Sequence, residues 1–420
     1  MGNERKWTVT FFTFWFTQAI SLIGSGLASF ALVWWITQST GSATVLAMAS
    51  LTAMLPGILL GPLIGALVDR LDRKWVIIIS DGISAMMALL LVILFWTNGI
   101  QLWQIYVINV LRGLAGSFQF PAVQASTSLL VPKEQLARIA GLNQSLQGLT
   151  MVATPPLSAL LLSLLPMHSI LGIDFFTAVI AISLLFAVRI PRARLDQKDT
   201  NITGTVWRDM RAGISFLRQW PRLLSVMCIA ALLNLVLTPA FMLTPILVTQ
   251  QFNGSALQVG WINAAYGLGL LGGGALLGVW GGFKRRILTS LLGVAGLGVG
   301  SFLIGVAPSN GYWMALTGMV IVGMMNAFAN GPFFAILQSV IPPEMQGRVF
   351  TVLMSVSMAM APVGLALAGP VADRFGIRAW YALGALVCGL MAAWIGFSPT
   401  LQRLEEEQVS LSSPLQSPSD

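Results

Sequence analysis

Gly61-Pro-Leu-Ile-Gly-Ala-Leu-Val-Asp-Arg-Leu-Asp-Arg-Lys74 joins two long apolar runs, and its composition decides what kind of chain this is. Gly61 and Gly65 permit close backbone approach at the end of the first run. Asp69, Arg70, Asp72, Arg73 and Lys74 then crowd into a connection too short to be a domain. Only 9% of the 420 residues are charged, and the mean hydropathy is +0.81. A charged loop of this length between two such runs belongs at a membrane face.

Outward from the loop the same pattern recurs. Hydrophobic residues make up 56% of the chain, above the norm for a soluble domain. The apolar runs fit helices that cross a hydrocarbon core roughly 30 Å thick. The short alternating segments of a barrel are absent. Twelve spans are predicted, at about 11–37, 44–68, 75–97, 101–128, 138–165, 168–188, 223–250, 256–283, 287–307, 311–336, 346–369 and 379–398. The expected architecture is an all-α membrane protein of two pseudo-symmetric six-helix bundles, residues 1–188 and 223–398. Residues 189–222 read as a cytoplasmic linker with a surface helix around Trp207–Trp220, and 399–420 as a disordered cytoplasmic tail. Gly369-Pro-Val-Ala-Asp373-Arg374 echoes the opening stretch on the opposite membrane face, as inverted three-helix repeats would produce. Gly278-Val-Trp-Gly-Gly-Phe-Lys-Arg-Arg286 keeps the glycines and the basic cluster but has no Asp.

The net charge of +8 reports orientation rather than a nucleic-acid partner. Of 23 Lys and Arg, 20 fall in segments that share one side; Arg112 lies in a span, and Arg374 and Arg378 lie opposite. This bias puts the N-terminus, the linker and the C-terminus in the cytoplasm, with anionic lipid as the neighbour. Met1–Lys6 is a short polar leader, and the first apolar run is long enough to stay as a helix. Cys228 and Cys388 sit in separate spans, which argues against a disulfide framework. No Gly-x-x-x-x-Gly-Lys-[Ser/Thr] loop, His-Glu-x-x-His motif or Cys/His cluster occurs, so ATP drive, metal catalysis and a cofactor are not expected. The single histidine, His168, reads as solvated at an outer loop. Gly267–Gly278 reads as a helix-packing surface.

Charges inside spans carry the sharpest functional signal, because they are expensive unless paired or hydrated. Arg112 lies roughly 17 Å below the outer end of span four, near the midplane. Asp81 lies roughly 9 Å inside the opposite end of span three, which predicts a depth gap of about 4 Å and an Asp81–Arg112 interaction, direct or through water. The alternative pairs Asp81 with Arg70 or Arg73 as a gate latch. Asp174, roughly 9 Å inside the outer end of span six, is either a proton site open to outside water or a helix-start Asp held by backbone N–H groups. No acidic residue falls inside spans seven to twelve, so a proton-carrying carboxyl must come from the first half. The candidate substrate lining is uncharged: Trp15, Gln18, Gln119, Gln144 and Gln147, faced by Asn234, Asn263, Tyr266, Asn326, Asn330, Met354 and Met358. Amides with aromatic and Met side chains suit a small hydrophobic or amphiphilic substrate, neutral or singly charged.

The chain resembles the major facilitator superfamily, and more closely its bacterial macrolide-efflux, drug–proton antiporter branch. The carrying residues are the opening stretch, Thr13-Phe-Trp15-Phe-Thr-Gln18-Ala, Gly41-Ser-Ala, Arg112, Leu130-Val-Pro132, Asn143-Gln144-Ser-Leu-Gln147, Ile173-Asp174, Gly347-Arg348-Val-Phe350 and Ala372-Asp373-Arg374-Phe-Gly376. The likeness covers all but the tail. Asp72 stands where the family loop has Gly, and Gly148 with Thr154-Pro155-Pro156 matches the antiporter motif only in part. The resemblance implies proton coupling through Arg112, with Asp81 and Asp174 as candidate carboxyls. It also implies a gating latch of Gly61, Gly65, Asp69, Arg70, Arg73 and Lys74, echoed by Asp373 and Arg374. The function it implies is export of macrolide-like drugs in exchange for protons, by alternating access, as a monomer in the bacterial inner membrane. A nutrient symporter, a siderophore exporter and a lipid flippase are the alternatives on the same fold.

Overall fold

A computed structural model describes residues 2–68, 70–188, 190, 215, 221–341 and 343–398. Asp69, nearly all of the 189–222 linker and the 399–420 tail lie outside the described residues. The helices are α1 (Gly2–Thr40), α2 (Ala43–Val68), α3 (Arg73–Trp96), α4 (Leu102–Leu130), α5 (Leu136–Leu164), α6 (Met167–Ala187), α7 (Pro221–Met242), α8 (Thr244–Phe252), α9 (Ala256–Trp280), α10 (Arg286–Val306), α11 (Tyr312–Val340), α12 (Pro343–Phe375) and α13 (Ile377–Phe397). No strand occurs among the described residues. Eleven of the described helices are long and apolar enough to cross a membrane. The more polar α4, which bears Arg112, is of similar length. Large apolar side chains such as Leu59, Ile79, Trp96, Val279 and Trp313 stand exposed, as a lipid-facing surface requires.

Contacts divide the described residues into two units. The first comprises those within Met1–Gly204 together with Met242–Ala264, and the second those within Thr205–Phe241 and Ala265–Asp420. In the first unit α2 and α4 run parallel in a four-residue register. Asn109 Nδ2 donates to Ala49 O at 3.1 Å, a Cβ on Gly113 would overlap the Ala53 carbonyl, and one on Gly57 would come 2.9 Å from Ser117 Oγ. The next pair would be Gly61 with Pro121, and there the contact stops. A Cβ on Gly61 or Gly65 would meet no atom within 4 Å, so the close approach expected at these glycines falls at Gly113 instead. α1 is clasped by α5 through Ser158 Oγ, which donates to Leu27 O at 2.9 Å, and by α6, where Thr177 fills the space a side chain at Gly24 would need.

The charged connection caps the helices around it. Asp72 is the N-cap of α3, its carboxylate accepting from Lys74 N at 3.1 Å. This gives the residue that departs from the family pattern a local reason to be there. Lys74 Nζ donates to Phe186 O at 2.9 Å and Val188 O at 2.7 Å, satisfying carbonyls left free at the end of α6. Beneath it lies a core of Phe11, Phe14, Ile64, Val68, Val76 and Ile77.

Two predicted boundaries are corrected. The single span expected over 223–250 breaks after Met242, because Pro245 has no N–H to continue the ladder and opens α8 instead. α8 and the start of α9 then group with the first unit: Gln250 Nε2 donates to Gly41 O at 2.9 Å, and Gly260 packs against the Pro155–Pro156 backbone. The span expected to end at Gly369 continues through Pro370, so Asp373 and Arg374 stand exposed on the last turn of α12. Arg374 lies over the Phe375 ring at 5.5 Å.

In the second unit glycines set the helix spacing. Gly269 and Gly273 lie against the backbone of Val320 and Met324, and Gly293 against Ala329, so the Gly-rich stretch of α9 is a packing surface. α7 is held by Trp380 Nε1 and Tyr381 OH, which donate to Val236 O and Ala240 O at 2.9 and 2.8 Å.

Candidate functional site

The buried charges of the first unit form two groups on one face of α4. Arg112 Nη2 donates to Asp174 Oδ2 at 2.7 Å, and Ser25 Oγ donates to Asp174 Oδ1 at 2.9 Å. Asp174 is 2% exposed and the Arg112 side chain 13%. Seven residues further along α4, Gln119 Nε2 donates to Asp81 Oδ1 at 2.6 Å and lies 3.5 Å from Gln18 Oε1. Asp81 is 2% exposed, and its Oδ2 is buried with no hydrogen-bond partner among the described residues.

This arrangement replaces the expected Asp81–Arg112 pair. Roughly 27 Å of helix separate Arg112 from Leu130 at the usual rise, against roughly 12 Å between Arg73 and Asp81. Arg112 therefore lies level with α6's acid, and Gln119 lies level with Asp81. Asp174 is held by side chains from α4 and α1, not by the backbone N–H groups of a helix start. Arg112 and Asp174 offset each other's charge, whereas Asp81 pairs with no cation among the described residues.

Beside these groups lies a partly open cavity of about 220 Å³ lined by α1, α4 and α5. Its lining is amide and aromatic: Trp15, Gln18, Gln119, Phe120, Gln124, Asn143 and Gln147 contribute, and no charged side chain among the described residues does. Trp15 Nε1 donates to Asn143 Oδ1 at 2.9 Å, which fixes the indole across the α1–α5 seam. The predicted Trp15, Gln18, Gln119 and Gln147 meet here, while Gln144 is exposed outside the lining. Phe14, Ser21, Ser25 and Gln124 also belong to the cavity, as does Asn143, which the sequence marks only through the family resemblance. The signal for the α1 members was present: Phe14, Gln18, Ser21 and Ser25 recur at helical spacing on one face.

The remaining candidates lie elsewhere. Asn263 is on α9 with its Oδ1 buried and without a hydrogen-bond partner among the described residues. In the second unit Tyr266 packs against Phe241 at 4.8 Å, Asn234 donates back to Ala230 O, and Asn330 donates to Asn326. Met354 and Met358 are exposed on α12. Of the loop signature, Arg70 is exposed and Arg73 and Lys74 are half-buried.

The sequence profile of the Major Facilitator Superfamily matches residues 14–365. Macrolide efflux protein A of Streptococcus pyogenes is 34% identical over 400 residues, which cover 93% of this chain and 98% of that protein. Multidrug efflux pump Tap of Mycolicibacterium fortuitum is 27% identical over 398 residues, covering 91% and 94%. Among solved structures, a bacterial homologue of the iron transporter ferroportin in an inward-facing state superposes with a TM-score of 0.71 at 15% identity, covering 92% of this chain and 99% of that one; this likeness shows the fold.

Proposed function

The chain belongs to the Major Facilitator Superfamily, and on that premise we propose that it exports macrolide-like amphiphiles in exchange for protons. The observation that carries this reading is the near end-to-end similarity to Macrolide efflux protein A. The uncharged amide and aromatic cavity supports it, since it offers apolar area and hydrogen bonds without a fixed charge. We take the Arg70–Lys74 end of the bundle as cytoplasmic from the bias of basic residues. Alternating access then opens the cavity to each side in turn.

In this reading Asp81 carries the proton. It is a buried carboxyl with one oxygen that has no hydrogen-bond partner among the described residues, and Gln119 links it to the cavity. Arg112 and Asp174 hold the helices around it in register through a neutralised pair. Antiport requires that bound substrate and the Asp81 proton exclude each other: substrate enters from the cytoplasm as the proton leaves, and the proton taken up outside expels it. Pump-deficient bacteria carrying the protein are expected to accumulate several-fold less labelled erythromycin than those without it, and a protonophore is expected to abolish the difference. Equal accumulation with the protein present in the membrane would contradict the reading.

A further inference from the structure

Gln119 is placed to do more than line a wall. Its side chain borders the cavity, and its Nε2 donates at 2.6 Å to a carboxyl that the cavity does not reach. Resting on the reading of Asp81 as the proton carrier, we propose that the Gln119 amide, by turning over, passes the state of the cavity to the Asp81 carboxyl.

An amide presents donors on one side and an acceptor on the other. In the arrangement described, Nε2 donates to Asp81 Oδ1 and lies 3.5 Å from Gln18 Oε1. Gln119 Oε1 accepts from no described residue. That orientation matches an ionised Asp81 and leaves a carbonyl for a donor in the cavity, a hydroxyl or an ammonium. Because Oδ2 has no hydrogen-bond partner among the described residues, a proton on Asp81 is best held on Oδ1, where the O–H must donate; Oε1 then turns to Asp81 and the N–H groups turn outward. Gln18, which also lines the cavity, turns with it to keep an opposite group against Gln119.

A donor-bearing amphiphile that engages Gln119 Oε1 holds the amide in the first orientation and so favours ionised Asp81. The proton leaves to cytoplasmic solvent as substrate binds, as antiport demands. The groups around Asp81 are Gln119 of α4 with its own neighbour Gln18 of α1, Ser21 of α1, and Asp174 of α6, the last already offset by Arg112. Of these, Gln18, Ser21 and Gln119 also line the cavity, and Gln119 alone among them borders it while donating to Asp81 in a short hydrogen bond.

The test is the number of protons released per erythromycin bound by the purified full-length chain in weakly buffered detergent solution, read with a pH-sensitive dye. Wild type is expected to release about one proton per macrolide and, by reciprocity, to bind it up to about tenfold more weakly per pH unit of acidification. Asp81→Asn is expected to release none. Gln119→Met, which keeps the length and loses the amide, is expected to release under about a tenth of the wild-type number, with affinity indifferent to pH. Gln119→Asn, too short to span cavity and carboxyl, is expected to do the same while keeping an amide. If either Gln119 variant released the wild-type number of protons per bound macrolide while Asp81→Asn released none, the amide relay would be wrong and the Asp81 reading would stand. If wild type released none, or Asp81→Asn released as many as wild type, both would fall together.

Discussion

Arg112→Leu is expected to abolish macrolide efflux and to lower the melting temperature of the purified protein by more than any other single change in the first unit. The substitution strands Asp174, which is 2% exposed and keeps only the Ser25 hydroxyl as a described donor from another helix. Breaking one side of a buried pair costs about 3–5 kcal/mol, because the remaining charge stays desolvated. Replacing both sides with apolar groups removes that penalty. Arg112→Leu combined with Asp174→Leu is therefore expected to recover most of the melting temperature that the single variant loses, without recovering efflux. A double variant as unstable as the single one would mean that the pair does not hold α4 to α6.

Gly113→Val is the second large effect. A Cβ at this position would overlap the carbonyl oxygen and carbon of Ala53, and a backbone cannot turn aside as a side chain can. Overpacking of this kind costs about 1–3 kcal/mol or more. The larger consequence is for register, because Gly113 is next to Arg112, and pushing α4 from α2 moves both Arg112 and Gln119 away from their acids. Efflux is expected to fall below about a tenth of wild type even where the protein inserts and folds, since site geometry tolerates displacements of only about an ångström. Gly61→Ala, whose Cβ would meet nothing within 4 Å, is expected to melt like wild type. Transport assays and melting curves on the pair of variants separate a packing glycine from one in open space.

The fold was legible because it is written in composition and spacing. Long apolar runs, short charged joints such as Arg70–Lys74, and glycines at helical spacing in α9 each follow from one local rule. What was not legible depended on rotation and length. Depth counted from assumed membrane edges placed Asp81 beside Arg112, but α4 runs on to Leu130, and the added turns bring Gln119 to that level instead. The break in the seventh span lay in plain view at Pro245, masked by the apolar residues on both sides. Gly61 and Gly65 invited a close contact, yet a Cβ on either would meet nothing within 4 Å. The α1 stripe of Phe14, Gln18, Ser21 and Ser25 was readable, yet its serines carry little signal until Asp174 is seen to need one of them.

Proton-for-macrolide exchange is tested most directly with the purified chain in liposomes loaded at acid pH and diluted into neutral buffer containing labelled erythromycin. The account predicts macrolide uptake above equilibrium with simultaneous alkalinisation of the lumen, both lost when the gradient is collapsed and both absent from Asp81→Asn. Uptake that ignores the gradient, or that Asp81→Asn carries out at the wild-type rate, would contradict it.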